Sequence, residues 1–142
     1  MAISKVMVIG AGVMGRGISQ LLSSAGIDVV LLDLSDQIIE DSLRLLSEEM
    51  DSDIEKWGMT VGEKKAILSR IKGTTEYHDA PTVDLVVEAI PEDLAAKREV
   101  FTKIDSLTRP DAVLISHTST LSVTEIASAT KRPERVIGLH FL

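Results

Sequence analysis

The chain has 142 residues, 44% of them apolar, a net charge of −7 and no cysteine. That is the size of one domain with material for a core, and the negative charge argues against a nucleic-acid partner, whose phosphates need an excess of Lys and Arg. Disulfides and thiolate metal sites are excluded, and no apolar run approaches the roughly 18 residues of a membrane span.

The opening MAISKV runs straight into a strand, so no leader peptide is expected and a cytoplasmic location is assigned. Residues 5–9 form an apolar run that meets Gly10, Gly12 and Gly15. A helix-period segment follows, with Ile18, Leu21, Leu22 and Ala25 on one face and Gly26 at its end. A second strand, 28–33, closes on Asp33. Strand, glycine turn, helix, strand and acid are the parts of a dinucleotide site. Gly10 permits a sharp exit from the strand. Gly12 lets the backbone approach a pyrophosphate, and Gly15 lets the helix lie close to the strand. Val13 and Met14, between the last two glycines, are counted with the cofactor site. The helix N-terminus offers N–H groups and a partial positive charge to phosphates. Asp33 can accept hydrogen bonds from ribose hydroxyls and would repel a 2′-phosphate, which favours NAD over NADP. The bland alternative is a tight turn that binds nothing. A Walker-type site is excluded, because no G-K-[ST] follows the glycines.

Ser35 or Asp36 can cap a helix over 37–56, which Trp57-Gly58 breaks. Thr60 with Glu63 makes a capping box before a second helix, 64–71. This pair is longer than an ordinary crossover and reads as an arm, residues 36–72, inserted between strands two and three and projecting from the body. Its lysines and arginine, Lys56, Lys64, Lys65, Arg70 and Lys72, are either a phosphate-facing patch or ordinary solvated helix faces. Arg16 is either a pyrophosphate neighbour or a surface residue.

Lys72-Gly73 reads as a helix stop, with a short strand over 73–76. The run VDLVVEAI, 83–90, has the continuous apolar character of a buried parallel strand. Pro91 stops it before a helix over 93–107. A strand over 112–116, a helix over 123–129 capped by Ser122, and a strand over 135–139 complete the chain. Strands alternating with helices predict an α/β fold, a doubly wound parallel sheet of the Rossmann type in the order 3-2-1-4-5-6. The cofactor would cross the carboxyl ends of strands one and four.

Four stretches taken together, GAGVMG, VDLVVEAIPEDLAAK, LISHTSTL and TKRPERVIGLHFL, resemble the NAD-binding domain of the L-3-hydroxyacyl-CoA dehydrogenases. The resemblance covers nearly all of residues 1–142 and is weakest over the helical arm. It implies oxidation of a 3-hydroxyacyl-CoA to the 3-ketoacyl-CoA in fatty-acid metabolism, with hydride passing to NAD. His140 would be the catalytic base, since imidazole gains and loses a proton near neutrality. Ser119 would hydrogen-bond the substrate oxygen. Glu92 and Lys97 match residues lining the nicotinamide end, Ala89 and Ile90 would offer backbone contacts, and Lys56 would meet coenzyme A. By its residue type alone Ser119 fits a helix cap or loop, Glu92 a helix first turn, and Lys97 a solvated face. His78, His117 and His140 match no metal-ligand spacing, so no metal is expected.

Two departures stand out. His117 occupies the place where the family has asparagine. Leu142 stands at a second aromatic position, where the family continues into a glutamate partner for the histidine and a helical domain that forms a homodimer. The chain is therefore expected to be the N-terminal domain of a longer enzyme, binding NAD with little turnover alone. The alternatives are a dehydrogenase of a small hydroxy or sugar acid on the same frame, and a dinucleotide-binding module without chemistry.

Overall fold

Alternating apolar residues build a sheet that must be covered on both sides. In strand β1 (Lys5–Ile9), Val6 and Val8 face one way, Met7 and Ile9 the other, and all four are buried. The computed structural model describes residues 2–140. After β1 come α1 (Val13–Ser24), β2 (Asp28–Leu32), α2 (Asp36–Trp57), α3 (Val61–Ser69), β3 (Ile71–Thr74), β4 (Leu85–Glu88), α4 (Leu94–Leu107), β5 (Val113–His117), α5 (Val123–Ala127) and β6 (Val136–Leu139). The strands form one parallel sheet in the order β3-β2-β1-β4-β5-β6, as the alternation predicted. From β1 the chain winds outward through β2 and β3, then returns beside β1 and winds the other way. The switch point lies between β1 and β4, where ligands of open α/β sheets bind.

One face carries Val6, Val8, Val29, Leu31, Leu85 and Val87, covered by Ile18 of α1, Leu46 and Met50 of α2 and Ile67 of α3. The other carries Met7, Ile9, Val30, Val86 and Leu114, covered by Phe101 and Ile104 of α4 and Ile126 of α5. The starts of α2, α3, α4 and α5 are set by side-chain caps. Ser35 accepts from the Ile38 N–H, Thr60 from Glu63, Asp93 from Ala96 and Ser122 from Glu125.

The helical pair does not stand clear of the body as expected. Ile39, Leu46 and Met50 are buried in the core beside Val6 and Leu31. The Ser23 hydroxyl of α1 donates to the Ile67 carbonyl of α3 at 2.7 Å, and Arg70 donates back to the Ser23 carbonyl at 2.8 Å. The apolar residues at the far end, Trp57 and Val61, are exposed. The third strand also differs, running Ile71–Thr74 instead of 73–76. Gly73 is not a breaker there. A Cβ on it would come within 2.2 Å of the Ile39 side chain, so the missing side chain lets α2 press onto the sheet.

Candidate active site

The glycine turn sits where β1 ends at the switch point. Gly10 has φ +106°, and a Cβ on it would meet the Ala89 carbonyl oxygen at 2.6 Å. The turn can therefore pass close to the end of β4 only with glycine. A Cβ on Gly15 would lie 1.6 Å from the Gly10 carbonyl oxygen, so helix and turn touch backbone to backbone. Gly12 is different in kind. A Cβ there would meet nothing within 4 Å, because it points into open space. That space is a cavity of about 1190 Å³, bordered by Gly10, Gly12, Val13, Met14 and Asp33 at this end. Helix α1 has no side-chain cap, whereas the other four helices each have one. Its first N–H groups are left for an anion.

Asp33 closes the turn from below. Its Oδ2 accepts the Ala11 N–H at 2.7 Å and its Oδ1 accepts the Leu34 N–H at 2.6 Å. These two bonds fix the carboxylate, and each oxygen keeps a second acceptor direction. The residues present fit a dinucleotide: an open glycine before an uncapped helix for the phosphates, and an oriented acid for the ribose. Past Asp33 the cavity is walled by Leu34, Ile38, Tyr77 and Val100. The Lys103 ammonium lies 4.4 Å from the Tyr77 ring centroid, a cation–π contact.

From the turn the cavity wall continues past the carboxyl ends of β4 and β5, with Ala89 and Ile90 beside Gly10 and then Glu92, His117 and Ser119. Glu92 accepts hydrogen bonds from Thr118 at 2.7 Å and Thr120 at 2.9 Å, and its other oxygen lies 3.3 Å from the Lys97 ammonium. Partial burial alone would raise this carboxyl. The two hydroxyls and the ammonium prevail and hold it at about 2, so Glu92 is an anion at neutral pH.

Lys97 does not line the cavity as the resemblance implied. Its side chain is completely buried beneath the rim. The ammonium donates to Glu88 Oε2 at 2.6 Å, to the His117 carbonyl at 2.9 Å and to the Ile90 carbonyl at 3.3 Å. Glu88 is equally buried, and also accepts the Ile90 N–H at 2.8 Å and the Ser116 hydroxyl at 2.6 Å. Lys97 and Glu88 thus tie the ends of β4 and β5 together from below. Sequence reasoning missed Glu88, although an acid inside the run VDLVVEAI was a signal, since a buried carboxylate requires a partner.

His140 follows β6 directly. It is exposed, and its ring stacks on that of His117, with centroids 5.4 Å apart and planes 21° apart. The structure therefore brings Ser119 and Glu92 to the cavity and sets His140 against its wall through His117. Lys56 is not brought there. It is exposed in the last turn of α2, about 27 Å along the helix from Ile38 at 1.5 Å per residue. Lys64 pairs with Asp51 at 2.5 Å, and Lys72, which lies in β3, pairs with Asp79 at 3.0 Å. Arg16 turns from the turn to Glu49 of α2 at 3.4 Å. Phe141 of the GLHF motif and Leu142 lie outside the described residues.

Residues 5–142 match the model of the 3-hydroxyacyl-CoA dehydrogenase NAD-binding domain. The chain belongs to this family. It is 42% identical over 142 residues to a probable 3-hydroxybutyryl-CoA dehydrogenase of Bacillus subtilis, covering 100% of the chain and 50% of that protein. It is 43% identical over 137 residues to the 3-hydroxybutyryl-CoA dehydrogenase of Clostridioides difficile, covering 96% of the chain and 49% of that protein. Among solved structures, the (S)-3-hydroxybutyryl-CoA dehydrogenase PaaH1 of Ralstonia eutropha superposes with a TM-score of 0.96 at 35% identity, covering 99% of this chain and 50% of that one. The chain spans about half the length of the relatives it matches. Its sheet order is the one that the alternation of strands and helices predicted. Among the described residues, no helix is long and apolar enough to cross a membrane.

Proposed function

We propose that this chain forms the NAD-binding half of a dehydrogenase that interconverts 3-hydroxyacyl-CoA and 3-ketoacyl-CoA. The observation that carries the reading is the shared cavity. The dinucleotide turn and Asp33 stand at one end, and Ser119 and Glu92 stand at the other beside the His117–His140 stack. NAD, when bound, supplies the hydride acceptor. The chain's own residues do the rest. The N–H groups at the start of α1 hold the phosphates, and Asp33 orients the adenosine ribose. Ser119 donates a hydrogen bond to the substrate oxygen, and His140 takes the hydroxyl proton in oxidation and returns it in reduction. Glu92, already ionised and fixed by three donors, shapes the wall between them. The acyl-CoA substrate, a cytoplasmic setting and a homodimer formed outside residues 1–142 belong to the same proposal. Lys56 could meet a coenzyme A phosphate only outside the cavity.

Calorimetric titration with NAD and with NADP tests the cofactor. NAD should bind, and NADP more weakly. Reduction of acetoacetyl-CoA with NADH, by this chain or any longer protein that contains it, tests the chemistry. His140→Ala should lower turnover by about 10²–10⁴-fold, the usual worth of a positioned general base. Tighter binding of NADP, or turnover indifferent to His140, would overturn the proposal.

A further inference from the structure

The two rings at the rim are unequal in how they are held. His117 is the last residue of β5, half-buried, and its backbone is fixed on both sides. Its carbonyl accepts from the buried Lys97 ammonium at 2.9 Å, and it sits opposite Leu139 in the parallel ladder. The next N–H, that of Thr118, donates to the Leu139 carbonyl at 3.3 Å. His140 has less support. It lies just past the end of β6, the outermost strand on its side of the sheet, and it is exposed. An exposed side chain there would ordinarily sample several rotamers. Among the described residues it has a flat neighbour: the His117 ring at a centroid distance of 5.4 Å and 21° from parallel, within the range of offset stacking.

We propose that His117 is a positioning residue for His140, its ring being the platform that fixes the plane, and so the direction of the nitrogens, of the imidazole beside the cavity. The function of that platform rests on the assignment of His140 as the base. The geometry also states what position 117 must supply. A planar ring is needed there, since the contact is an offset stack of two rings. Because His117 lines the cavity and is anchored through Lys97, the platform is referenced to the same rim that carries Ser119 and Glu92. A base held in this way loses less orientational freedom when substrate arrives, and orientation is a large part of such catalysis.

The chain contains only three histidines, so the imidazole region of its NMR spectrum is assignable with His78→Ala and His140→Ala. In the unsubstituted chain the His140 ring protons should be shielded relative to those of the exposed His78, with cross-ring contacts to His117. His117→Phe keeps a ring and should keep the shielding. His117→Ala should move the His140 signals downfield to the position of a free imidazole. It should also speed acylation of His140 by diethyl pyrocarbonate several-fold, while signals from the far side of the sheet stay in place. His140 signals unmoved by His117→Ala, or lost equally in His117→Phe, would overturn the platform. If His117→Ala does not fold, the comparison of His117→Phe with His117→Asn decides on the same criterion. These readouts do not depend on turnover. A platform can fail with His140 still the base, and the base assignment can fail with the stack intact.

Discussion

The Lys97 ammonium and the Glu88 carboxylate meet at 2.6 Å with neither side chain exposed to solvent. A pair buried so deeply adds little net stability over an apolar pair, but removing one partner strands the other. Lys97→Met should therefore cost about 3–5 kcal/mol, the usual consequence of an uncompensated buried charge. Glu88→Gln should cost less, since Ser116 can turn its hydroxyl to accept from the amide and Lys97 keeps two carbonyls and Glu92. The double variant should recover part of the loss, with a coupling of about 0.5–3 kcal/mol. Urea unfolding of the four proteins checks this. Additive losses would mean that the two groups do not act as a pair.

Carboxylate anchoring recurs at the amino ends of the same strands. Asp84, just before β4, accepts the Ser4 N–H at 2.9 Å, the Lys5 N–H at 3.1 Å and the Arg109 guanidinium at 2.6 Å. The Ser4 bond first, then Arg109 and Lys5, hold its carboxyl well below the usual carboxylate range. A carboxyl whose value is lower in the folded chain than in the unfolded one stabilises the fold above the unfolded value, near 3.9 for Asp. That contribution fades as the pH falls from about 5 through 3.9 and on toward the folded value. Asp84→Asn should be less stable than the unsubstituted chain at pH 7, and the difference should shrink steadily below about pH 5. Thermal unfolding followed from pH 7 to pH 3 measures it, and a difference that widens on acidification would contradict the assignment.

Much of this was legible in the sequence, for physical reasons. Strands apolar on both faces suit central parallel strands, so runs such as 83–90 announced the sheet, and the alternation of strands with helices announced its order. The spacing of the glycines and Asp33 announced the tight turn and the acid that accepts from it. Other features depended on what lies across space. Gly73 reads as a helix stop by residue type, yet it is a strand residue whose missing Cβ makes room for Ile39. Lys97 reads as a surface or lining cation, yet its long side chain turns inward to Glu88. The His117–His140 stack joins residues far apart in the chain and exists only because β5 and β6 are neighbours.

Asp33 gives a prediction about selectivity. Its carboxylate is fixed by the Ala11 and Leu34 N–H groups, so it presents an oriented acceptor with no freedom to withdraw. Asp33→Ala should weaken NAD binding by about 1.5–3 kcal/mol, the worth of hydrogen bonds to a charged group. The loss for NADP should be smaller, because the repulsion of a 2′-phosphate goes with the charge. Calorimetry with both cofactors reads the two changes in one variant. An equal loss for both would take the selectivity away from Asp33.

The glycine turn separates folding from binding at neighbouring positions. Gly15→Ala places a methyl group 1.6 Å from the Gly10 carbonyl oxygen, which is backbone and cannot step aside. Overpacking of this kind costs about 1–3 kcal/mol or more, and here it should also push α1 off the turn. Gly12→Ala places its methyl group in open space, and its φ of −76° suits alanine. Stability should then fall by no more than about 1 kcal/mol, since alanine is a poorer N-cap than glycine. The methyl group nevertheless occupies the path by which a pyrophosphate reaches the first N–H groups of α1. Gly12→Ala should fold and fail to bind NAD, whereas Gly15→Ala should lose both together. Unfolding midpoints and NAD titrations on the two variants make the comparison. A Gly12→Ala protein that binds NAD as before would show that the phosphates do not pass over this turn.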